Sequence, residues 1–165
     1  MLGENPAEAN CLLGAAMSPS PSPSDYAGDV SVEQAWDMLK SDPKTQLVDV
    51  RTMAEWNFVG VPDLTALNRK LHCVEWQHFP SGAINPGFVA EAGGALAAAG
   101  ADKETPVLFL CRSGGRSRAA AIAMAGAGYR KSFNVAGGFE GDLNDERHRG
   151  NDNGWKAAGL PWKQS

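Results

Sequence analysis

Apolar and polar positions along the chain alternate between helical spacing and short continuous runs. Ser31-Val32-Glu33-Gln34 has the form of a capping box, and Val32, Ala35, Trp36 and Leu39 recur at helical spacing, which predicts a helix over 32–40. Gln46 to Val50 is a short apolar run between turn-like segments, hence a strand, and Thr52-Met53-Ala54-Glu55 opens a second, short helix with another capping box. Leu71 to Trp76 predicts a further strand. Asn85-Pro86 then supplies an N-cap and a first-turn proline for an Ala-rich helix reaching Ala99. Pro106 to Leu110 is apolar at every position, as a central parallel strand covered on both faces requires. Ser117 to Ala127 reads as a helix stopping at the glycines 126 and 128, and 132–135 as a short strand broken by Gly137-Gly138. Strands alternating with helices argue an α/β domain whose central sheet is mainly parallel and flanked by helices. Trp155, Leu160 and Trp162 predict that the C-terminal segment folds back onto that domain.

Length allows one domain and little more, since the chain has 165 residues against a prior of roughly 150 per domain. Residues 1–24 are set aside as a leader: Ser18 to Ser24 reads SPSPSPS, whose prolines forbid helix and whose serines bury nothing, so it is expected to be disordered. The domain is therefore 25–165. Met17 stands directly before this tract and is a second candidate for the start of translation. No cationic n-region precedes the apolar patch near Leu12, and no stretch approaches the roughly 18 apolar residues of a membrane span, so a cytoplasmic protein with no membrane partner is expected. The formal charge of −4 argues against nucleic-acid binding and makes any anion site local. Cys11, Cys73 and Cys111 form no CxxC pair, which excludes a disulfide framework or zinc ribbon.

The candidate chemistry lies in Cys111-Arg112-Ser113-Gly114-Gly115-Arg116-Ser117, between a buried strand and a helix start, where ligands of open α/β sheets bind. Two glycines let successive N–H groups curl toward one cavity, and the following helix adds its positive end. Arg112 and Arg116 add two charges. A thiol so placed favours its thiolate, which makes Cys111 a nucleophile and the loop from Arg112 to Ser117 an anion receptor.

These residues, CRSGGRS at 111–117 preceded by PVLFL, together with LVDVRTMAEW at 47–56 and AGGFEGD at 136–142, resemble the single-domain rhodanese (thiosulfate sulfurtransferase) family over roughly Asp25 to Lys163. The resemblance implies a three-layer rhodanese-like domain in which Cys111 carries a persulfide. It takes sulfur from a small anionic donor such as thiosulfate, or from a protein persulfide, and passes it to cyanide or another thiophilic acceptor, with no metal or organic cofactor. Arg112 and Arg116 would bind the donor, and the backbone amides of 112–117 would hold the persulfide. The related cell-cycle phosphatases have five residues between the loop's Cys and Arg; here Cys111 and Arg116 enclose four, which favours sulfur over phosphoryl chemistry. A phosphatase or arsenate reductase, and a non-catalytic anion-binding module, are the alternatives.

Two departures from the family pattern bear on the acceptor. Asn57 to Leu64 lacks the usual His-Ile-Pro-Gly-Ala sequence, and an added segment containing Val74 to Pro80 follows. Glu75, Trp76, Gln77 and His78 fall at or past the end of the predicted strand, on the rim that carries Cys111; Trp76 and His78 are the candidates for a pocket wall. Asp49 and Arg51 share one side of their strand and are expected to pair structurally. His72 and Cys73 face opposite sides, which argues against a metal site, and Cys73 is expected to pack within its strand. Arg130, Lys131, Arg147, His148 and Arg149 read as a solvated basic set.

Overall fold

The computed structural model describes residues 26–165. The leader over 1–24, with Cys11 and the choice between Met1 and Met17, lies outside the described residues. Five parallel strands form the central sheet in the order β1-β6-β5-β2-β4. They are β1 (Gly28–Val30), β2 (Gln46–Asp49), β4 (Leu71–Cys73), β5 (Val107–Leu110) and β6 (Ser132–Val135). The helices are α1 (Val32–Ser41), α2 (Met53–Phe58), α3 (Phe88–Ala98) and α4 (Gly115–Gly126), and β3 (Val61–Pro62) pairs antiparallel with β7 (Trp162–Lys163) as a separate ribbon.

Burial on both faces of β5 follows from its sequence. Val107 and Phe109 point with Cys111 toward Phe88, Ala92 and Leu96 of α3 and Ala120, Ala121 and Met124 of α4. Leu108 and Leu110 point the other way, toward Ala35 and Leu39 of α1, Phe139 and Trp155. An all-apolar strand is what a layer between two helical layers demands. Both capping boxes form: Ser31 accepts from the Gln34 amide and Thr52 from the Glu55 amide, each with the reciprocal side-chain bond.

The C-terminal segment does fold back. Trp155 is fully buried, packs edge-on against Trp36 at 5.8 Å, and donates its indole N–H to the Pro161 carbonyl at 2.7 Å. Three expectations are corrected. The strand over 71–76 ends at Cys73, beyond which the Val74 and Trp76 amides still bond Asp49 and Val50 but without a regular ladder. The third helix begins at Phe88 rather than after Asn85; buried Asn85 instead donates to the Glu75 carbonyl and accepts from Gly87 N–H, tying down the preceding loop. Cys73 is exposed on the edge strand, not packed, whereas His72 beside it is buried.

Candidate active site

Cys111 follows the last residue of β5, the middle strand of the sheet, and is buried at 1% exposure. Residues 112–114 turn the chain, with Gly114 at φ +117°, a region that a residue with a Cβ rarely adopts. α4 starts at Gly115, and its first backbone bond runs from Arg118 N–H to the Gly114 carbonyl, so the amides of 115–117 have no intrahelical acceptor. The Cys111 Sγ accepts from Gly114 N–H at 3.1 Å and lies 3.2 Å from the Ser117 hydroxyl oxygen, itself fully buried. A sulfur anion would thus meet oriented donors and the positive end of a twelve-residue helix.

The 136–142 segment explains why the loop's amides face inward. Phe139 N–H donates to the Cys111 carbonyl at 2.8 Å, and Glu140 and Gly141 donate to the Arg112 carbonyl at 2.9 and 3.2 Å. With both carbonyls held on the outer side, the following N–H groups are free to turn toward the cavity. This function of residues 139–141 is not evident from composition, because it depends on a strand 25 or so residues further along the chain lying beside β5.

Arg116 corrects the simple picture of two free arginines. Its terminal nitrogens reach Glu55 of α2 at 2.8 and 2.9 Å, a bidentate pair that neutralises much of its charge. Burial works to raise the Glu55 carboxyl, but the Arg116 bonds and the Thr52 N–H and hydroxyl outweigh it and hold the group at about 2. Arg112 is exposed, and among the described residues no acidic side chain pairs with it. Ser113 stands half-buried in the loop between them.

Two adjoining concavities open at this end of the sheet. The smaller, about 270 Å³, is lined by Gln77, Cys111, Arg112, Ser113, Gly115 and Arg116. The larger, about 480 Å³, continues over Thr52, Glu55, Phe58, Val59, His78 and Phe79. His78 therefore does line the approach to Cys111, with its ring nitrogen 3.2 Å from Glu75. Trp76 does not: it packs edge-on against Phe88 at 5.1 Å, under the rim rather than in it. Phe58 and Phe79, 81% and 71% exposed, belong to the wall and were not anticipated, because Phe58 ends a helix of six residues and Phe79 lies in a loop, and neither setting carries a periodic signal.

The remaining candidates sit apart from the sulfur. Arg51 is fully buried on Asp49, with Nη2 2.6 Å from Oδ2, donates to the Gly60 carbonyl and lies over the Phe139 ring, a structural pair as expected. No cluster of metal-ligating side chains occurs among the described residues. The basic residues Arg130, Lys131, Arg147 and His148 are exposed. No helix of the described residues is long and apolar enough to cross a membrane.

Comparison with known proteins agrees with this architecture. An uncharacterized protein of Rickettsia rickettsii is 37% identical over 130 residues, spanning 79% of this chain and 92% of the relative. The crystal structure of Rv0390 from M. tuberculosis superposes with a TM-score of 0.75 at 48% identity, covering 85% of this chain and 99% of that one. Rhodanese-like domain-containing protein 4 of Arabidopsis thaliana, a chloroplastic protein, is 26% identical over 136 residues that make up 82% of this chain but 25% of the relative. The polysulfide-sulfur transferase homodimer of Wolinella succinogenes shares the fold at a TM-score of 0.54 and 20% identity, over 87% of this chain and 82% of that one. The profile of the family described as STR4 middle domain matches residues 27–165, and with it the chain belongs to that family and is a rhodanese-like domain.

Proposed function

We propose that the protein is a sulfurtransferase that carries sulfane sulfur as a persulfide on Cys111. The observation that carries this reading is the seat of Sγ: an amide N–H and a hydroxyl within 3.2 Å, at a helix N-terminus, in a loop with four residues between Cys111 and Arg116. In the first half-reaction the Cys111 thiolate attacks the outer sulfur of thiosulfate. The donor's S–S bond breaks and its electron pair leaves with sulfite, so Cys111 becomes a persulfide. In the second, a thiophilic acceptor such as cyanide takes the terminal sulfur and the thiolate returns. Neither half-reaction needs a proton, because sulfite leaves as a stable anion; the cycle is covalent and ping-pong. Arg112 steers the anion, while Arg116, its charge largely met by Glu55, ties the loop to α2 and keeps it rigid.

Intact mass tests the reading. Reduced protein exposed to thiosulfate should gain one sulfur atom, Cys111→Ser should gain none, and cyanide should remove the sulfur as thiocyanate. Absence of the gain with thiosulfate and with a low-molecular-weight persulfide would overturn it, and hydrolysis of an aryl phosphate would then favour the phosphatase alternative.

A further inference from the structure

Ser117 has one hydroxyl hydrogen and two neighbours that can accept it. Its Oγ lies 3.2 Å from Cys111 Sγ and 2.6 Å from Asn134 Oδ1. Asn134 is buried on β6, and its amide has one workable orientation. The Nδ2 group stands 3.1 Å from Asp29 Oδ1 on the neighbouring β1, and an ionised carboxylate only accepts, so Oδ1 is the atom presented to Ser117. Asp29 is in turn fixed by the Tyr26 hydroxyl at 2.7 Å, which accepts from Arg118 Nε at 3.2 Å.

The protonation state of the sulfur decides where the Ser117 hydrogen goes. A thiol completes the chain by donating its S–H to Ser117 Oγ, leaving the hydroxyl hydrogen on Asn134. A bare thiolate needs that hydrogen for itself, and giving it up leaves a buried carbonyl oxygen without its 2.6 Å donor. We propose that Asn134, oriented by Asp29, is a positioning residue that competes with the Cys111 sulfur for the Ser117 hydrogen and so sets how readily the thiolate forms. Where the persulfide reading holds, on which only this last consequence rests, the competition ends once sulfur is loaded. The charge then moves to the terminal sulfur, Sγ becomes neutral, and the hydrogen returns to Asn134. The chain would thus disfavour the bare thiolate relative to the loaded form.

The charged groups around the site are held constant in the test: Arg112 and Arg116 beside the sulfur, Glu55 on Arg116, His78 with Glu75 in the cleft wall and, further off, the buried pair of Asp49 and Arg51 at the end of β2. Alkylation of Cys111 by iodoacetamide, followed peptide by peptide across pH, reads the proposal directly. Asn134→Leu removes the competing acceptor at similar volume. Asp29→Asn, at an exposed edge-strand position, lets the Asn134 amide turn its N–H toward Ser117 and so keeps a folded variant in hand should Asn134→Leu fail to fold.

Both variants should alkylate about three- to tenfold faster than the parent on the rising limb of the pH profile, with the same plateau at high pH. In a Ser117→Ala background neither substitution should retain that advantage, apart from the small residue that loss of the Asp29 charge contributes through space. Parent-like rates at every pH would overturn the proposal. So would a raised plateau, which would signal a loosened site, or an equal gain without the Ser117 hydroxyl. A protein that alkylates as expected but takes up no sulfur would sustain this inference and overturn the proposed function instead.

Discussion

Gly138 lies so close to Cys111 that a Cβ on it would stand 2.5 Å from the Cys111 carbonyl oxygen and 2.6 Å from that of Arg112. Its φ of +63° is a second constraint on the same position. The contact is with backbone, which cannot swing aside, and the backbone in question is the loop that holds the nucleophile. Gly138→Ala should therefore lose roughly 2–4 kcal/mol, combining the left-handed backbone cost with overpacking. Thermal unfolding reads the stability; Cys111 alkylation should change in the same variant, and a parent-like melting temperature would contradict the account.

Glu55 links the site to acid stability. Its carboxyl titrates at about 2 in the fold against 4.5 without it, so the folded state binds the proton more weakly than the unfolded one. The stabilisation is fully present above pH 4.5 and is lost as pH falls toward 2. At 19% exposure of the side chain, its size is on the order of 3 kcal/mol as an upper figure. Urea unfolding from pH 7 to 2 should show this loss in the parent. Glu55→Gln should be less stable at pH 7 and flatter over the acid range.

Much of the fold was legible because its signals are local. A capping box spans four residues, so Ser31 with Gln34 and Thr52 with Glu55 could be read directly. β5 announced its two-sided burial by having no polar position, and CRSGGRS is contiguous. The relationships that complete the site are not local. Glu55 meets Arg116 across 61 residues and Asp29 meets Asn134 across 105, so nothing in either neighbourhood marks the partner. β1 is three residues long and β3 and β7 two each; elements that short carry no period, and they exist because the rest of the fold brings an edge to pair with. Trp76 misled for a related reason: the strand stops at Cys73, and whether a side chain beyond its end turns into a cleft or onto Phe88 is decided by packing.

Arg112 and Arg116 should separate in a donor titration. Arg112 is exposed beside the nest, whereas Arg116 is committed to Glu55. Under the sulfurtransferase reading, Arg112→Ala should raise the KM for thiosulfate about tenfold with a smaller change in kcat, and added salt should shrink the difference. Arg116→Ala should lower stability as well, by removing the partner of a half-buried carboxylate. Equal effects of the two substitutions on KM, with no loss of stability in the second, would contradict the assignment.

Trp155 supports the nucleophile's loop from a distance. Its amide donates to the Gly138 carbonyl at 2.8 Å, so the residue that fills the core between Trp36 and Phe139 also fixes the glycine pressed against Cys111. Trp155→Ala should cost about 3–5 kcal/mol through the cavity alone. Trp155→Phe is the more informative change: most of the packing remains, but the 2.7 Å bond from the indole N–H to Pro161 is lost, and with it about 1 kcal/mol of the tether that holds β7 against β3. Because the Gly138 contact is made by backbone, Trp155→Phe should keep the parent rate of Cys111 alkylation while melting earlier, whereas Trp155→Ala should alter both. If the phenylalanine variant changed the thiol's rate, the loop would depend on the C-terminal tether itself rather than on the buried ring.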